Sequence, residues 1–307
     1  MKTPWYETSA GATAALLLSG AWVDCDLYTI TTPSGTVLRY ATGDLNVDVS
    51  GTIYYCNLAL VDLAGRTPRG HWKVGTGVDT WQWMMAPRAV DPATGTANPD
   101  TINSLPWTEA ILKGALDGAD VQVDRAIFSA WPAQLASKAF PTGVFTLFKG
   151  FMGACDVGDS AVAFTAISYM DLLSSNSPRN VWQAGCRWTL FDAGCGLSAA
   201  AWDQSSTVQS GSTPLVINTS LSPLSGSTFP LGRILFTGGQ NNGFARGIRS
   251  FSGGALTLTA PLFWPVNTGD GFTIFPGCDK TTTACSAFSN LANFGGQPYI
   301  PKATTAL

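Results

Sequence analysis

Residues 23–57 read VDCDLYTITTPSGTVLRYATGDLNVDVSGTIYYCN, and a stretch written this way is committed to strands. β-branched and aromatic residues fall in short runs, and Pro33-Ser34-Gly35 and Ser50-Gly51 break those runs where a hairpin must turn. The pattern continues in WKVGTGVDTWQWMMAP (72–87), DVQVDRAIFSAW (120–131), GVFTLFKGFMGAC (143–155) and SAVAFTAISYMDLL (160–173). It resumes in STVQS, in PLVINTS and in GRILFTGGQNNGFARGIRSFSGGALTLTAPL (232–262), which reads as three strands joined by Gly/Asn turns. No unit of 20–50 residues repeats, so a solenoid or propeller is excluded.

Helical signals are few. SAGATAALLLSGAWV (9–23) reads as a short helix starting near Thr8 or Ser9 and stopped by Gly20. It is too short to span a bilayer, and Glu7 stands where a secretion signal carries positive charge. WTEAILKGALDGA (107–119) is the second candidate, with Ile111, Leu112 and Leu116 on one side. DPATGTANPDTINSLPW (91–107) reads as a loop. The polar, proline-containing SSNSPRN (174–180) marks a boundary, giving N-terminal β modules over 1–175, a C-terminal β domain over 181–301 and a flexible tail over 302–307. The expected fold is all-β, the N-terminal part being a pair of small barrels or sandwiches.

Charged residues make up only 12% of the 307 positions, about half the usual share. A freestanding chain needs charge for solubility, so much of this surface is expected to lie against other subunits. The alternative is a secreted or virion-associated, carbohydrate-binding or glycan-hydrolysing β-protein with a Ser/Thr/Asn surface. A net charge of −3 without any basic run gives no nucleic-acid-binding groove. The single histidine, His71, leaves almost no room for imidazole-based catalysis or metal binding. Phosphate-loop, dinucleotide and nucleophile-elbow motifs are absent. Asp24/Asp26 and Asp156/Asp159 read as turn and strand-end carboxylates. Trp81 and Trp83, two apart on a strand, share one face and read as core or subunit interface rather than as a sugar-stacking platform.

Four cysteines remain. Cys186 and Cys195 flank eight residues in AGCRWTLFDAGCGLS, and Cys278 and Cys285 flank six in PGCDKTTTACSAF. Seven cysteines in all, an odd number, fit a complete disulfide framework poorly. Without a signal segment, the compartment of synthesis is a reducing cytoplasm, where thiols persist. The loops are wide for a zinc knuckle and suit an iron–sulfur cluster, whose ligands attach to different irons. Zinc, disulfides and free thiols stay open on spacing alone. Trp188, Phe191, Phe275, Phe288 and Phe294 are candidates for an apolar shell, and Arg187 and Lys280 for countercharge. Cys25, Cys56 and Cys155 read as ordinary buried thiols.

The terminal segment GDGFTIFPGCDKTTTACSAFSNLANFGGQPYIP resembles the C-terminal signature of a tail-tip (baseplate hub) protein family of long-tailed phages and gene transfer agents. The matching positions are Cys278, Asp279, Lys280, Cys285, Asn290, Asn293, Phe294, Gly296 and Pro298. CRWTLFDAGCG is similar to the family's earlier cysteine pair, and residues 25–55 and 111–129 are similar to its hairpin and strand modules. One departure is TTTA (281–284) where many members carry basic residues. The resemblance implies a non-enzymatic virion protein, made in the host cytoplasm and placed at the tail tip. It implies a ring, read here as a homotrimer, around the DNA exit channel, with the distal tail protein and the central fibre/hub protein as neighbours and no sequence-specific DNA binding. It further implies a 4Fe-4S cluster on Cys186, Cys195, Cys278 and Cys285, with zinc as the alternative metal.

Overall fold

A computed structural model describes residues 4–57, 70–71, 78–86, 101–132, 138–158, 161–174 and 182–299. The chain divides into two units, Met1–Asn176 and Ser177–Leu307. The 174–180 boundary (beyond Ser174), the 302–307 tail, Asp159 and most of the 91–107 loop lie outside the described residues.

The first unit contains β1 (Tyr6–Glu7), α1 (Ala12–Ser19), β2 (Val23–Thr31), β3 (Val37–Ala41), β4 (Val47–Val49), β5 (Thr52–Cys56), β6 (Gly70–His71), β7 (Thr80–Met85), β8 (Thr101–Ile102) and β9 (Leu105–Pro106). Then come α2 (Trp107–Leu112), β10 (Asp120–Phe128), β11 (Gly143–Val157) and β12 (Val162–Ser168). Both expected hairpins are present: Thr31 faces Val37, and Val49 faces Thr52. The second closes through Ser50 and Gly51, both at positive φ (53° and 87°), the backbone hand that matches strand twist in a two-residue hairpin. α1 is bounded by Gly11 and Gly20 and starts later than Thr8 or Ser9. α2 ends at Leu112, with Gly114 at φ 80°, although Ile111 and Leu116 are both buried.

Nine strands pair in the order β4-β5-β3-β2-β10-β11-β12-β7-β6, and β1 adds to β11. This is one continuous sheet with two cores, where the sequence suggests two modules. From β2 and β10, Tyr28, Ile30, Val121 and Val123 enter the larger core with Trp81, Trp83 and Phe164. From the same strands Cys25, Leu27, Ala126 and Phe128 enter the other, with Val47, Tyr54 and Val144. Alternation sends successive side chains to opposite faces, so the two middle strands serve both cores.

Two sequence expectations need correction here. Asp24 is the second residue of β2, at the expected strand end, but Asp26 lies inside the strand. Asp26 is buried against Arg125, whose Nε donates to Oδ1 at 2.8 Å and Nη2 to Oδ2 at 3.0 Å. Burial pushes its carboxyl above the usual range, and the Arg125 bonds pull against that. Cys25 and Cys56 are buried, whereas Cys155 is only partly so. Trp81 and Trp83 are core residues.

The second unit contains β13 (Gln204–Thr207), β14 (Val216–Asn218), β15 (Thr228–Phe236), β16 (Ala245–Ser252), β17 (Ala255–Leu258), β18 (Gly271–Gly277) and α3 (Thr282–Ala287). Its sheet runs β13-β18-β15-β16-β17-β14 over a core that includes Ile217, Phe229, Ile234, Phe236, Leu256, Phe272 and Ile274. β18 is a central strand of this sheet and ends one residue before Cys278. A rigid element therefore fixes the second cysteine loop.

Candidate metal centre

Each cysteine loop is shaped by a carboxylate. In the first, Asp192 accepts from the N–H of Cys195 at 2.6 Å and of Thr189 at 2.8 Å, closing the turn that carries Cys195. The Cys195 N–H, and after it that of Thr189, hold this carboxyl below the usual range. In the second, Asp279 accepts from the Thr281 hydroxyl at 2.7 Å and its N–H at 2.9 Å, which lower it likewise. Thr281 in turn caps α3, its Oγ1 accepting from the Ala284 N–H at 3.1 Å. The TTTA segment is thus the cap and first turn of a helix that presents Cys285.

Two residues tie the loops together. Lys280, held at φ 67°, accepts the Cys186 N–H on its carbonyl at 2.8 Å, and its ammonium donates to the Trp188 carbonyl. Asn290 donates from Nδ2 to the Cys195 carbonyl at 2.7 Å and lies 3.6 Å from the Cys195 sulfur. Trp188 lies so close to Gly194 and Gly295 that a Cβ at either would collide with its indole, so glycine is required at both.

Cys186, Cys195, Cys278 and Cys285 all line one cavity, together with Trp188, Leu190, Leu197, Phe288, Lys280, Thr281, Asn290 and Asn293. None of the four is in a disulfide, and each is partly buried. Burial, and then the neighbouring Cys186, Cys195 and Cys278, push the Cys285 thiol up; its S–H donates to the Asn290 carbonyl at 3.1 Å. The Gly295 N–H points at the Cys186 sulfur, 3.3 Å away. Among the described residues no three His, Cys, Asp or Glu side chains are grouped as the ligands of a single metal ion.

This donor set fits a sulfur-ligated cluster. It is all thiol, partly walled by apolar side chains and supplied with N–H groups aimed at sulfur, the features that hold and tune such a group. Of the expected shell, Trp188 and Phe288 line the cavity, and Trp202 stacks edge-on behind Phe288 at 4.7 Å. Phe191 and Phe275 line a neighbouring cleft, and Phe294 is outside the cavity lining. Arg187 lies over the Trp188 ring at 4.3 Å, leaving Lys280 as the cation at the cavity. Sequence reasoning missed Leu190 and Leu197, and gave Asn290 no physical role. His71 occupies a short strand paired with Thr80; among the described residues no helix is long and apolar enough to cross a membrane.

Residues 10–198 match the family described as baseplate hub protein, N-terminal attachment domain. Residues 227–304 match the family described as phage conserved hypothetical protein BR0599. The first cysteine pair falls in the first match and the second pair in the second. No curated protein matches the chain. A chain of the solved structure titled "Virion of native gene transfer agent (GTA) particle" has the same fold, with a TM-score of 0.65 at 20% identity, covering 96% of this chain and 94% of that one. With the first match spanning more than half of its residues, the chain belongs to the baseplate hub protein family defined by the N-terminal attachment domain.

Proposed function

We propose that this protein is a structural, non-catalytic subunit of a phage-type tail tip, made in the host cytoplasm and located in the virion. The observation that carries this is the baseplate hub family match over residues 10–198. In the finer reading it forms a homotrimeric ring around the DNA exit channel, between the distal tail protein and the central fibre/hub protein. The surface supports an assembled state: Leu18, Phe140, Leu173 and Trp182 are all at least two-thirds exposed, and only 12% of residues are charged. The net charge of −3 suits a lining that lets DNA slide past without holding it.

The reading extends to a 4Fe-4S cluster held by Cys186, Cys195, Cys278 and Cys285 as a structural staple. Bound there, it would supply cross-linking through four iron–thiolate bonds. Cys195 and Cys278 are 83 positions apart, and a link across a loop of that length restricts the unfolded chain enough to stabilise the fold by about 4 kcal/mol. The test uses the full chain purified without oxygen. Iron and sulfide at about four each per chain, lost in Cys278→Ser and kept in Cys25→Ser, with a trimer by native mass spectrometry, are the expected results. Full iron content in Cys278→Ser would remove the ligand assignment, and one zinc per chain would replace the cluster.

A further inference from the structure

We infer that Asn290 is the positioning residue of the four-cysteine site, holding the Cys195 sulfur of the first loop against the second loop through its side-chain amide. The inference rests on the reading of these cysteines as metal ligands. Asn290 is 8% exposed, one of the buried polar residues among those described, and it meets a cysteine of each loop. Toward Cys195 it offers Nδ2, 2.7 Å from the carbonyl oxygen and 3.6 Å from the sulfur. Toward Cys285 it offers its backbone: its N–H donates to the Cys285 carbonyl at 2.9 Å, and its carbonyl oxygen lies 3.1 Å from the Cys285 sulfur.

The amide cannot turn around without loss. Asn293 Nδ2 donates to Asn290 Oδ1 at 2.7 Å, so the acceptor end is engaged and the donor end must face Cys195. Two residues beyond Asn293, the Gly295 N–H supplies the matching donor to the Cys186 sulfur. The 290–295 segment therefore places one N–H beside each sulfur of the first cysteine pair. Such donors withdraw charge from a thiolate ligand, which raises the reduction potential of an attached cluster and slows metal loss. An aspartate at 290 has the same shape but would turn an acceptor toward the Cys195 carbonyl and sulfur.

The experiment compares the full-length wild type with Asn290→Ala, Asn290→Asp and Asn293→Ala. Metal content of the wild type decides the four-cysteine reading by itself. On metal-loaded protein, the rate of release to a chelator should rise about 10–100-fold in Asn290→Ala, the range for losing an outer-shell partner. It should rise further in Asn290→Asp and less in Asn293→Ala, whose amide partner remains but is free to rotate. The midpoint potential of an iron-loaded sample should fall in the order wild type, Ala, Asp. Release rates and potentials equal to wild type in both Asn290 variants would overturn the inference. If Asn290→Ala fails to fold, Asn293→Ala still tests the inference, because that side chain is exposed and holds the Asn290 amide in place. If the wild type proves metal-free, the ligand reading falls and site-resolved alkylation takes over. Faster alkylation of Cys195 in Asn290→Ala, with Cys278 unchanged, supports the positioning role, and equal rates at Cys195 overturn it.

Discussion

Replacing Trp81 and Trp83 separately by phenylalanine should give unequal losses, though the two indoles stand two residues apart in one core. Both are essentially inaccessible, and Trp83 stacks on Phe164 at 5.1 Å and packs against Tyr28 at 5.3 Å. Each Trp→Phe change removes a similar apolar volume from a dense interior, a shared cost of about 2 kcal/mol. The polar atoms separate them. Trp81 Nε1 donates to the Tyr28 hydroxyl at 2.9 Å, and losing it strips a partner from a buried hydroxyl, adding about 1–3 kcal/mol. Trp83 Nε1 is buried with no partner among the described residues, so its removal relieves an unsatisfied donor. Trp81→Phe should thus be the worse variant by at least about 2 kcal/mol. For a unit of this size that separates the melting points by about 4–8 °C. Calorimetry of the full chain, with the N-terminal transition assigned by hydrogen exchange, measures it. Adding Tyr28→Phe to Trp81→Phe should cost less than Tyr28→Phe alone, because both partners then go together. A Trp83→Phe variant as unstable as Trp81→Phe would refute the reasoning.

Two more expectations follow from single residues. Lys280→Met loses the charge-assisted bond to the Trp188 carbonyl, worth about 1.5–3 kcal/mol, while Lys280→Gly loses the same bond but regains about 1 kcal/mol from the φ 67° backbone; hydrogen exchange over 186–196 should show the glycine variant opening less, and the reverse order would refute the strain argument. Asp124 is fully buried and its carboxyl is raised, chiefly by that burial, so its contribution to stability is complete below the usual aspartate pKa of about 3.9 and is lost as the pH rises through the higher folded value; Asp124→Asn should gain on wild type in melting temperature from pH 4 to pH 8, and a constant gap would contradict this.

The hairpins were legible because the turn chemistry is local: Pro33-Ser34-Gly35 and Ser50-Gly51 specify their own backbone. The sharing of β2 and β10 between two cores was not. Cys25, Leu27, Tyr28 and Ile30 are all buried, and a strand covered on both faces shows no alternation to read. Asp26 looked like a turn-former because the residue that explains it, Arg125, lies 99 positions away. At the candidate site the cysteine spacing was visible, and so was the need for apolar cover and a cation. What was not visible was which candidates reach the cavity. Phe191 and Phe275 have the right composition but face a neighbouring cleft, whereas Leu190 and Leu197 carry no signal beyond hydrophobicity. The α3 cap was readable in principle from the Asp279-Lys-Thr281 run, since Asp and Thr two apart before a short helix are the residues that start one.

The site's construction bears on what a staple there can do. Asp192 closes the first loop within seven positions, and Asp279 with Thr281 shapes the second within six. β18, a central strand, fixes where the second loop begins, and the sheet core beneath it includes none of the four cysteines. Each loop therefore takes its shape from local hydrogen bonds and from the sheet. The contacts from Lys280 and Asn290 then bring the two shapes into register. A cross-link added to loops already shaped this way changes how long they stay together more than what they look like. Its loss should raise the rate at which the 186–196 and 278–290 segments part, while the six-stranded sheet keeps its protection from exchange.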